Sequence, residues 1–600
     1  MAHPPRSGEQ TPIAAQSVMF LVLRRLRLPM LALLMAYAIS VFGLTLIPGV
    51  AADGSPAPPM SIFHSLYFVS YTATTIGFGE VPSEFSDAQR MWTIVIIHLT
   101  VISWTFAILN TLTLFQDRAF QRAVAQIRVA GRVHRMREPF HLICGAGDTG
   151  QRMARLLDRL DMRYVIVEKD EHRIEELELE DLRTDAPVLN GDASVPQSLL
   201  TAGLTHPLCR GVLALTPDDA TNLAIVTTAR LLNRNVPVIA GAQSPHTVVN
   251  MRAFGTHHVI SAFDTFADQL MLAMRAPGCQ RLAAWLTAPV DAELEKEHEP
   301  PRGPWVICGH GRFGRAVARR LIAQGLQVTA VDPAYEDGDA DPAEGLPARL
   351  RGVGTETDVL ERAGIDAAVA LVAGADDDIT NLAIAAMARV RNPKLFIVLR
   401  QNDAANQLLF DSFRADMVMK PSEIIADECV ALLTTPLLDQ FLDVVRSKND
   451  AWADEVIHQL RKRIGTRSPR IWTVRVDPDQ APAVCERLEA VERPFPLGDL
   501  LRSPADRQQR IEAHALMLLR EGREILLPND DTALAAGDRI LFAGRGDARR
   551  RLATTLFDAN VLRYLVTGRD TPGGWVFTRR IASNPSARSA SRSDGSSSPM

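Results

Sequence analysis

Charge is missing from two long stretches of this chain. Between Leu28 and Ala52, and again between Met91 and Gln116, there is no Asp, Glu, Lys or Arg. Each run exceeds the ~20 residues a helix needs to cross a bilayer core. The segment between them, 49–89, lacks Lys and Arg altogether, whereas Arg24, Arg25 and Arg27 precede the first run and Arg118, Arg122 and Arg128 follow the second. By the positive-inside rule this predicts a multi-pass protein of the inner (plasma) membrane with both termini cytoplasmic and the connecting loop outside. A cleaved signal peptide fits poorly, because a long polar lead, 1–16, comes first. Cysteine is scarce too. The six (Cys144, Cys209, Cys279, Cys308, Cys429, Cys485) fall on the cytoplasmic side of that topology and lack metal-ligand spacing, which predicts reduced, mostly buried thiols. No basic stripe accompanies the net charge of -5, so nucleic acid is not an expected partner. A chain of 600 residues is too long for one core, and after Arg118 no comparable apolar run recurs.

The loop between the runs holds Thr72-Ala73-Thr74-Thr75-Ile76-Gly77-Phe78-Gly79. Its two glycines tolerate the positive φ that a line of inward carbonyls requires. Upstream, an irregular Gly/Pro/Ala stretch ends at Pro58-Pro59. Ser61 or Ser65 can then cap a short helix rich in Phe63, Leu66, Tyr67, Phe68 and Tyr71. This pattern resembles the potassium channel family, whose Thr-Val-Gly-Tyr-Gly filter replaces the ion's hydration shell with carbonyl oxygens. The resemblance implies K+ as permeant ion, held by the carbonyls of Thr75, Ile76, Gly77 and Phe78 and the Thr75 hydroxyl, with Gly79 closing the filter. It also implies a homotetramer, since one chain cannot enclose a pore with two spans and one loop. Phe78 stands where the family commonly has Tyr, Phe68 where Trp is frequent, and Glu80 where Asp is usual. An apolar aromatic cuff is therefore expected behind the filter. The second run contains no glycine at which to bend. Asn110 is expected to line the pore, and His98 either to line it or to pack at the interface.

The remainder contains a repeat. His141-Leu-Ile-Cys-Gly145-Ala-Gly147-Asp-Thr-Gly150 leads to Tyr164-Val-Ile-Val-Glu168. Trp305-Val-Ile-Cys-Gly309-His-Gly311-Arg-Phe-Gly314 leads to Val328-Thr-Ala-Val-Asp332. In each, an acid follows the third glycine by 18 residues. One Gly-x-Gly-x-x-Gly is a weak signal, but two in βαβ settings predict paired dinucleotide-type folds. The copies are offset by 164 residues, falling to 159 at Thr221-Asn-Leu-Ala-Ile225 and Thr380-Asn-Leu-Ala-Ile384, and at Ala267-Asp268 and Ala426-Asp427. Glu168 and Asp332 could accept from ribose hydroxyls, and their acidity disfavours NADP.

Placed after a two-helix pore, the repeat resembles the domains that regulate potassium conductance (RCK, TrkA-N and TrkA-C-like). Further marks are Gly191-Asp192-Ala193-Ser194, Thr216-Pro-Asp-Asp-Ala-Thr-Asn222, two apolar helical stretches (Phe263–Leu286 and Ser422–Val445) that look like crossover helices, and Ile525-Leu-Leu-Pro528 with Gly537-Asp-Arg-Ile-Leu-Phe542. The implied fold class is a membrane α-helical pore module followed by cytoplasmic α/β tandem Rossmann-like domains and a small α+β C-terminal lobe. Its parts are a tail (1–17) and a pore domain (18–117) with spans 28–48 and 91–116, pore helix 61–74 and filter 75–79. A basic linker (118–138) follows, plausibly helical and able to lie along membrane lipid. Then come a first RCK domain (139–290), a second Rossmann lobe with crossover helices (304–450), a C-terminal lobe (468–556) and a Ser/Arg/Pro-rich disordered tail (582–600).

The implied ligand is NAD(H) or an adenine nucleotide at one or both copies, on Gly145, Gly147, Gly150, Glu168 and Asp192, or on Gly309, Gly311, Arg312, Gly314 and Asp332. The copies differ. Asp148 places an acid inside the first glycine loop and Arg312 a base inside the second, while Gly354-Thr355 replaces Gly191-Asp192. The acidic run Glu175, Glu176, Glu178, Glu180 and Asp181 reads as a solvated helix face rather than a metal site. A ligand-gated potassium channel, not an enzyme, is the favoured reading. A membrane-anchored NAD-dependent oxidoreductase would leave the filter unexplained, and no hydride-transfer residue set is present. A regulatory subunit of a potassium transport system would need no pore of its own.

Overall fold

The computed structural model describes residues 13–51, 55–81, 84–256, 258–288, 290–294, 299–336, 347–490 and 494–569. Most of the expected tail 1–17 and all of the tail 582–600 lie outside them. The chain divides into two compact units, one of 1–146, 162–212 and 231–236, the other of 147–161, 213–230 and 237–600.

The first unit opens on helix α1 (Ile13–Leu46), short helix α2 (Ile62–Ala73), long helix α3 (Asp87–Gln116) and helix α4 (Arg118–His134). Two of these are long and apolar enough to cross a membrane, over Arg24–Leu46 and Asp87–Gln116. The first begins before the expected residue 28 because a charge-free run marks the apolar crossing, not the helix. Arginines are good helix formers, and the turns bearing Arg24–Arg27 continue it. The second begins before residue 91 because Ser86 and Gln89 form a capping box, each side chain bonding the other's backbone N–H. Gln89 Nε2 also donates to Ile47 O and Ser86 Oγ to Pro48 O, fixing the foot of the loop to the end of α1. The Gly/Pro/Ala stretch is not wholly irregular. Strands β1 (Pro48–Val50) and β2 (Pro56–Pro59) pair antiparallel. Proline is tolerated there because each strand of a two-stranded ribbon is an edge.

Strands β3 (Phe140–Cys144), β4 (Arg163–Glu168) and β5 (Val188–Asn190) of the first copy pair in parallel register. They read as near-continuous apolar runs, as buried parallel strands do. Helix α6 (Glu171–Glu178) follows β4, and α5 (Asp148–Arg159) follows the first glycine loop, within the second unit.

In the second unit the second copy forms a six-stranded parallel sheet in the order Ala348–Arg351, Val328–Asp332, Trp305–Cys308, Ala370–Ala373, Phe396–Arg400, Met417–Met419. The strand order reverses beside the first strand, where doubly wound folds bind ligands. Each expected crossover stretch is two helices, not one: Ala262–Arg275 then Pro277–Thr287, and Pro421–Thr434 then Pro436–Ser447. Pro277 and Pro436 each stand at the first position of the second helix, where a missing N–H costs nothing. A further helix, Asp450–Ile464, buries Val456, Ile457 and Leu460 against Leu282, Trp285 and Phe441.

The C-terminal lobe is a four-stranded antiparallel sheet in the order Arg470–Arg475, Arg539–Gly544, Ala513–Arg520, Arg523–Leu526, with Trp472 stacked on Phe542. It runs past the expected boundary at 556. Asp558 caps a last helix, Ala559–Thr567, whose Leu562 joins the lobe's core. All six cysteines are free and buried, and burial pushes the thiols of Cys144 and Cys308 up, which leaves them inert.

Candidate pore and nucleotide sites

Ser61, not Ser65, caps α2, accepting from His64 N. The octamer then leaves the helix with Thr75, Gly77 and Gly79 at φ of 62°, 65° and 75°. Left-handed residues alternate here with Ile76 and Phe78, a pattern by which a short segment can turn successive carbonyls to one side. The amides are held back. Ile76 N and Gly77 N both donate to Tyr71 O, at 2.9 and 3.3 Å, and Thr75 N donates to Thr72 O. A line of oxygens is thereby left without partners from its own backbone, a geometry suited to a weakly hydrated cation.

Behind this line the rings of Phe68 and Phe78 make apolar contacts, and hydrogen bonds from Tyr67 and Tyr71 stand beside them. Phe68 is buried against Tyr71 and Phe85, and Tyr71 meets Phe78 edge-on, all without polar contact. But the Tyr71 hydroxyl donates to Glu80 O and the Tyr67 hydroxyl to Glu80 Oε2, each at 3.1 Å. The two tyrosines, four apart on one helix face, tie Glu80, just past the octamer, to α2. Asn110 Nδ2 donates to Phe106 O, and His98 Nδ1 bonds Ile94 O. Each bond uses one polar atom, which leaves Asn110 Oδ1 and His98 Nε2 to meet water or a partner.

In the second copy, Gly309 turns at φ 90° and Gly311 begins the helix Arg312–Ala323 without a side-chain cap. A Cβ on Gly314 would lie 2.1 Å from Gly309 O, whereas one on Gly311 would meet nothing within 4 Å. The third glycine thus serves packing, and the second leaves an open approach to the helix N-terminus where a phosphate fits. Asp332 accepts from His310 N at 2.7 Å and from Ala334 N at 2.9 Å. Tyr335 hydrogen-bonds His310 Nδ1, and Arg349 lies over the Tyr335 ring. Beside them is a cavity of about 310 Å³ lined by His310, Arg312, Arg315, Arg319, Arg349 and Ser244 among others. Its Asp264 is bound by Arg320 at 2.7 Å and approached by Arg319 at 3.6 Å. Burial first, then Arg315, push His310 down to about 4, so it is a neutral donor or acceptor at physiological pH. The remaining guanidiniums give the cavity an excess of positive charge.

Glu168 in the first copy has the equivalent task to Asp332. Its carboxylate accepts from Ala146 N, the middle residue of Gly-x-Gly, and from Lys169 N and Asp170 N. Both acids therefore brace their loops whatever else they bind. Gly145 turns at φ 98°. Asp192 accepts from Ser194 N and Oγ, bonds that hold its carboxyl below the usual range. In the second unit, Gly147 precedes α5, Gly150 is buried within it, and Asp148 accepts from Ala404 N at 3.3 Å.

Two arginine clamps escaped the sequence reading. Arg152 on α5 meets Glu423 at 3.1 Å and Asp427 at 3.3 Å. Arg320 on Arg312–Ala323 meets Asp264 at 2.7 Å and Asp268 at 2.9 Å. Each copy's crossover helix so grips the glycine-loop helix of the other. The 159-residue offset relates both acid pairs, and was the available signal. The repeated asparagines of Thr-Asn-Leu-Ala-Ile are structural. Asn222 ties Thr216 to Gly241 O, and Asn381 ties Ala375 to Arg400 O. Glu175, Glu176 and Glu178 are exposed, and no metal-holding group occurs among the described residues.

Known families match both regions. A family described as Ion channel matches residues 30–117, and one described as TrkA-N domain matches 141–262 and 305–421. The chain carries an ion channel domain followed by two TrkA-N domains. With its two apolar helices it is a membrane protein. It is similar to probable potassium channel protein 2 of Methanocaldococcus jannaschii, 23% identical over 38% of this chain and 64% of that one. Potassium channel protein 1 of the same organism is 24% identical over 34% and 59%. A Trk system potassium uptake protein TrkA homolog of Pyrococcus abyssi is 31% identical over 23% and 63%. The chain thus spans less than two thirds of the length of these relatives. Among solved structures, the GsuK channel bound to NAD is 16% identical, with a TM-score of 0.42 over 90% of this chain and 99% of that one.

Proposed function

We propose that four copies of this chain form a potassium-selective channel of the plasma membrane, with both termini in the cytoplasm, whose opening responds to nucleotide bound by the tandem TrkA-N domains. The observation that carries the reading is the filter backbone: left-handed residues at 75, 77 and 79, amides tied to Tyr71 O, and carbonyls free. Four such lines around an axis would replace a hydration shell. The ion channel domain and the potassium channel relatives support the same reading. In proteoliposomes, rubidium uptake should exceed sodium uptake by about tenfold or more; equal uptake would sink the proposal. Tyr71→Phe deletes one hydrogen bond to Glu80 O, worth about 1 kcal/mol. It should keep the fold and lower the rubidium-to-sodium ratio several-fold, and an unaltered ratio would mean the bond does not restrain the filter.

NAD(H) or an adenine nucleotide is the ligand the glycine loops suit. At the second copy, Gly311 and the backbone entering the next helix would take the diphosphate with Arg312, and Asp332 keeps lone pairs for a ribose hydroxyl. Calorimetry on the full chain with NAD, ADP and ATP should show binding that Glu168→Ala or Asp332→Ala weakens about tenfold at the copy concerned. Binding indifferent to both substitutions would make the two acids braces only.

A further inference from the structure

Helix Arg312–Ala323 turns Val317 and Leu321 inward, where they pack with Trp305 and Ile307 of the sheet. Its other face carries Arg315, Arg319 and Ile322, spaced by four and three residues, and all three line the cavity beside the glycine loop. Arg349 reaches the same cavity from the edge strand Ala348–Arg351. Burial raises the Tyr335 phenol above its ordinary range, and Arg349 and Arg315 both oppose that rise. His310, lowered first by burial, is lowered further by the same two residues. The two guanidiniums therefore converge on the Tyr335–His310 pair from different elements. Neither has a carboxylate partner among the described residues. Asp264 is the one acid on the cavity wall, and Arg320 already binds it at 2.7 Å.

The first copy lacks this arrangement. At the 164-residue offset Gln151 stands in place of Arg315. Val188 pairs with Ile166 as Arg349 pairs with Ala330, so a valine holds the position of Arg349. Nor do these arginines belong to the glycine loop. Arg312 opens the helix next to Gly311, whereas Arg315 and Arg319 lie about one and two turns further along it. Like charges gathered this way repel unless an anion lies among them. Guanidinium forks match phosphate oxygens in pairs. The volume of about 310 Å³ equals about ten waters, room for more than a single phosphate. We propose that the second copy binds a small polyphosphate anion in this cavity, on Arg315, Arg319 and Arg349, at a site separate from its nucleotide. Nothing in this requires the pore to conduct.

The test is calorimetry on the full chain in lipid, with sodium tripolyphosphate, which has neither base nor ribose, as the probe. It should bind whether or not NAD is present at saturation, and more weakly as salt is raised. Arg315→Gln and Arg349→Gln should each weaken it about tenfold, while NAD affinity stays within about threefold. Arg319→Gln should cost less, because that guanidinium already faces Asp264 at 3.6 Å. Gly311→Ala should do the reverse, weakening NAD and sparing tripolyphosphate. Protease resistance of each variant checks that the fold is kept. No binding at low salt, or binding indifferent to both Arg315→Gln and Arg349→Gln, would overturn the site. Competition by NAD would place the anion on the glycine loop instead. Competition by ATP but not by NAD would assign the arginines to the terminal phosphate of a nucleotide, and a separate site would fall. Failure of the nucleotide reading looks different: the chain would bind tripolyphosphate through these arginines and bind no NAD.

Discussion

Gly77→Asp should abolish rubidium uptake, by about 100-fold or more, while the chain still inserts in the membrane and assembles. The backbone term is small, because aspartate visits the left-handed region at a cost of about 1 kcal/mol. Nor does the side chain collide within one chain, since a Cβ at Gly77 meets nothing within 4 Å. The loss comes from the proposed tetramer. Four carboxylates would enter one ring of a narrow filter and hold a cation too tightly to release it, whereas conduction needs binding weak enough to leave. Flux from proteoliposomes, with size-exclusion chromatography as the assembly control, checks this. Uptake near that of the unmodified chain would remove Gly77 from the permeation path.

Gly314→Val should have the largest effect on folding of any single change in the second copy. A Cβ there would sit 2.1 Å from Gly309 O and 3.2 Å from Ile307 Cγ2, against backbone that cannot step aside without opening the glycine turn. Overpacking of this severity costs on the order of 3 kcal/mol. The second copy should become sensitive to proteolysis at temperatures where the unmodified chain resists. Gly311→Ala is the matched contrast. With open space around that position the fold should hold, and only the approach of a phosphate is obstructed, so nucleotide affinity should fall without loss of protease resistance. If both variants proved equally resistant, the distinct duties assigned to the two glycines would be wrong.

What the sequence disclosed were features fixed by local chemistry. The pore helix read over 61–74 spans Ile62–Ala73, because its cap and the glycines beyond lie within one turn of its ends. The strand–glycine–helix units were legible for the same reason. Where a local signal was passed over, the structure used it: Pro277 and Pro436 break the crossover stretches, and Ser86 with Gln89 starts α3 early. The Tyr67 and Tyr71 bonds to Glu80 span 13 and 9 residues across the turn after α2, a separation that no helix or strand period marks. The clamps were of another kind. Arg152 and Glu423 are 271 positions apart, and no periodicity or spacing rule links a helix face to a partner so far along the chain.

Those clamps bear on how such a duplication can change over time. Each exchanges a half-exposed arginine with two carboxylates, so any one bond contributes at most about 1 kcal/mol. The arrangement is nevertheless reciprocal. Loss of one arginine leaves a repelling acid pair on a helix that belongs to the other copy, so substitutions in one half are felt first in its sibling. The glycine loops are free to diverge in charge, as Asp148 and Arg312 have done, while the surfaces on which the two halves lean must evolve as a married pair.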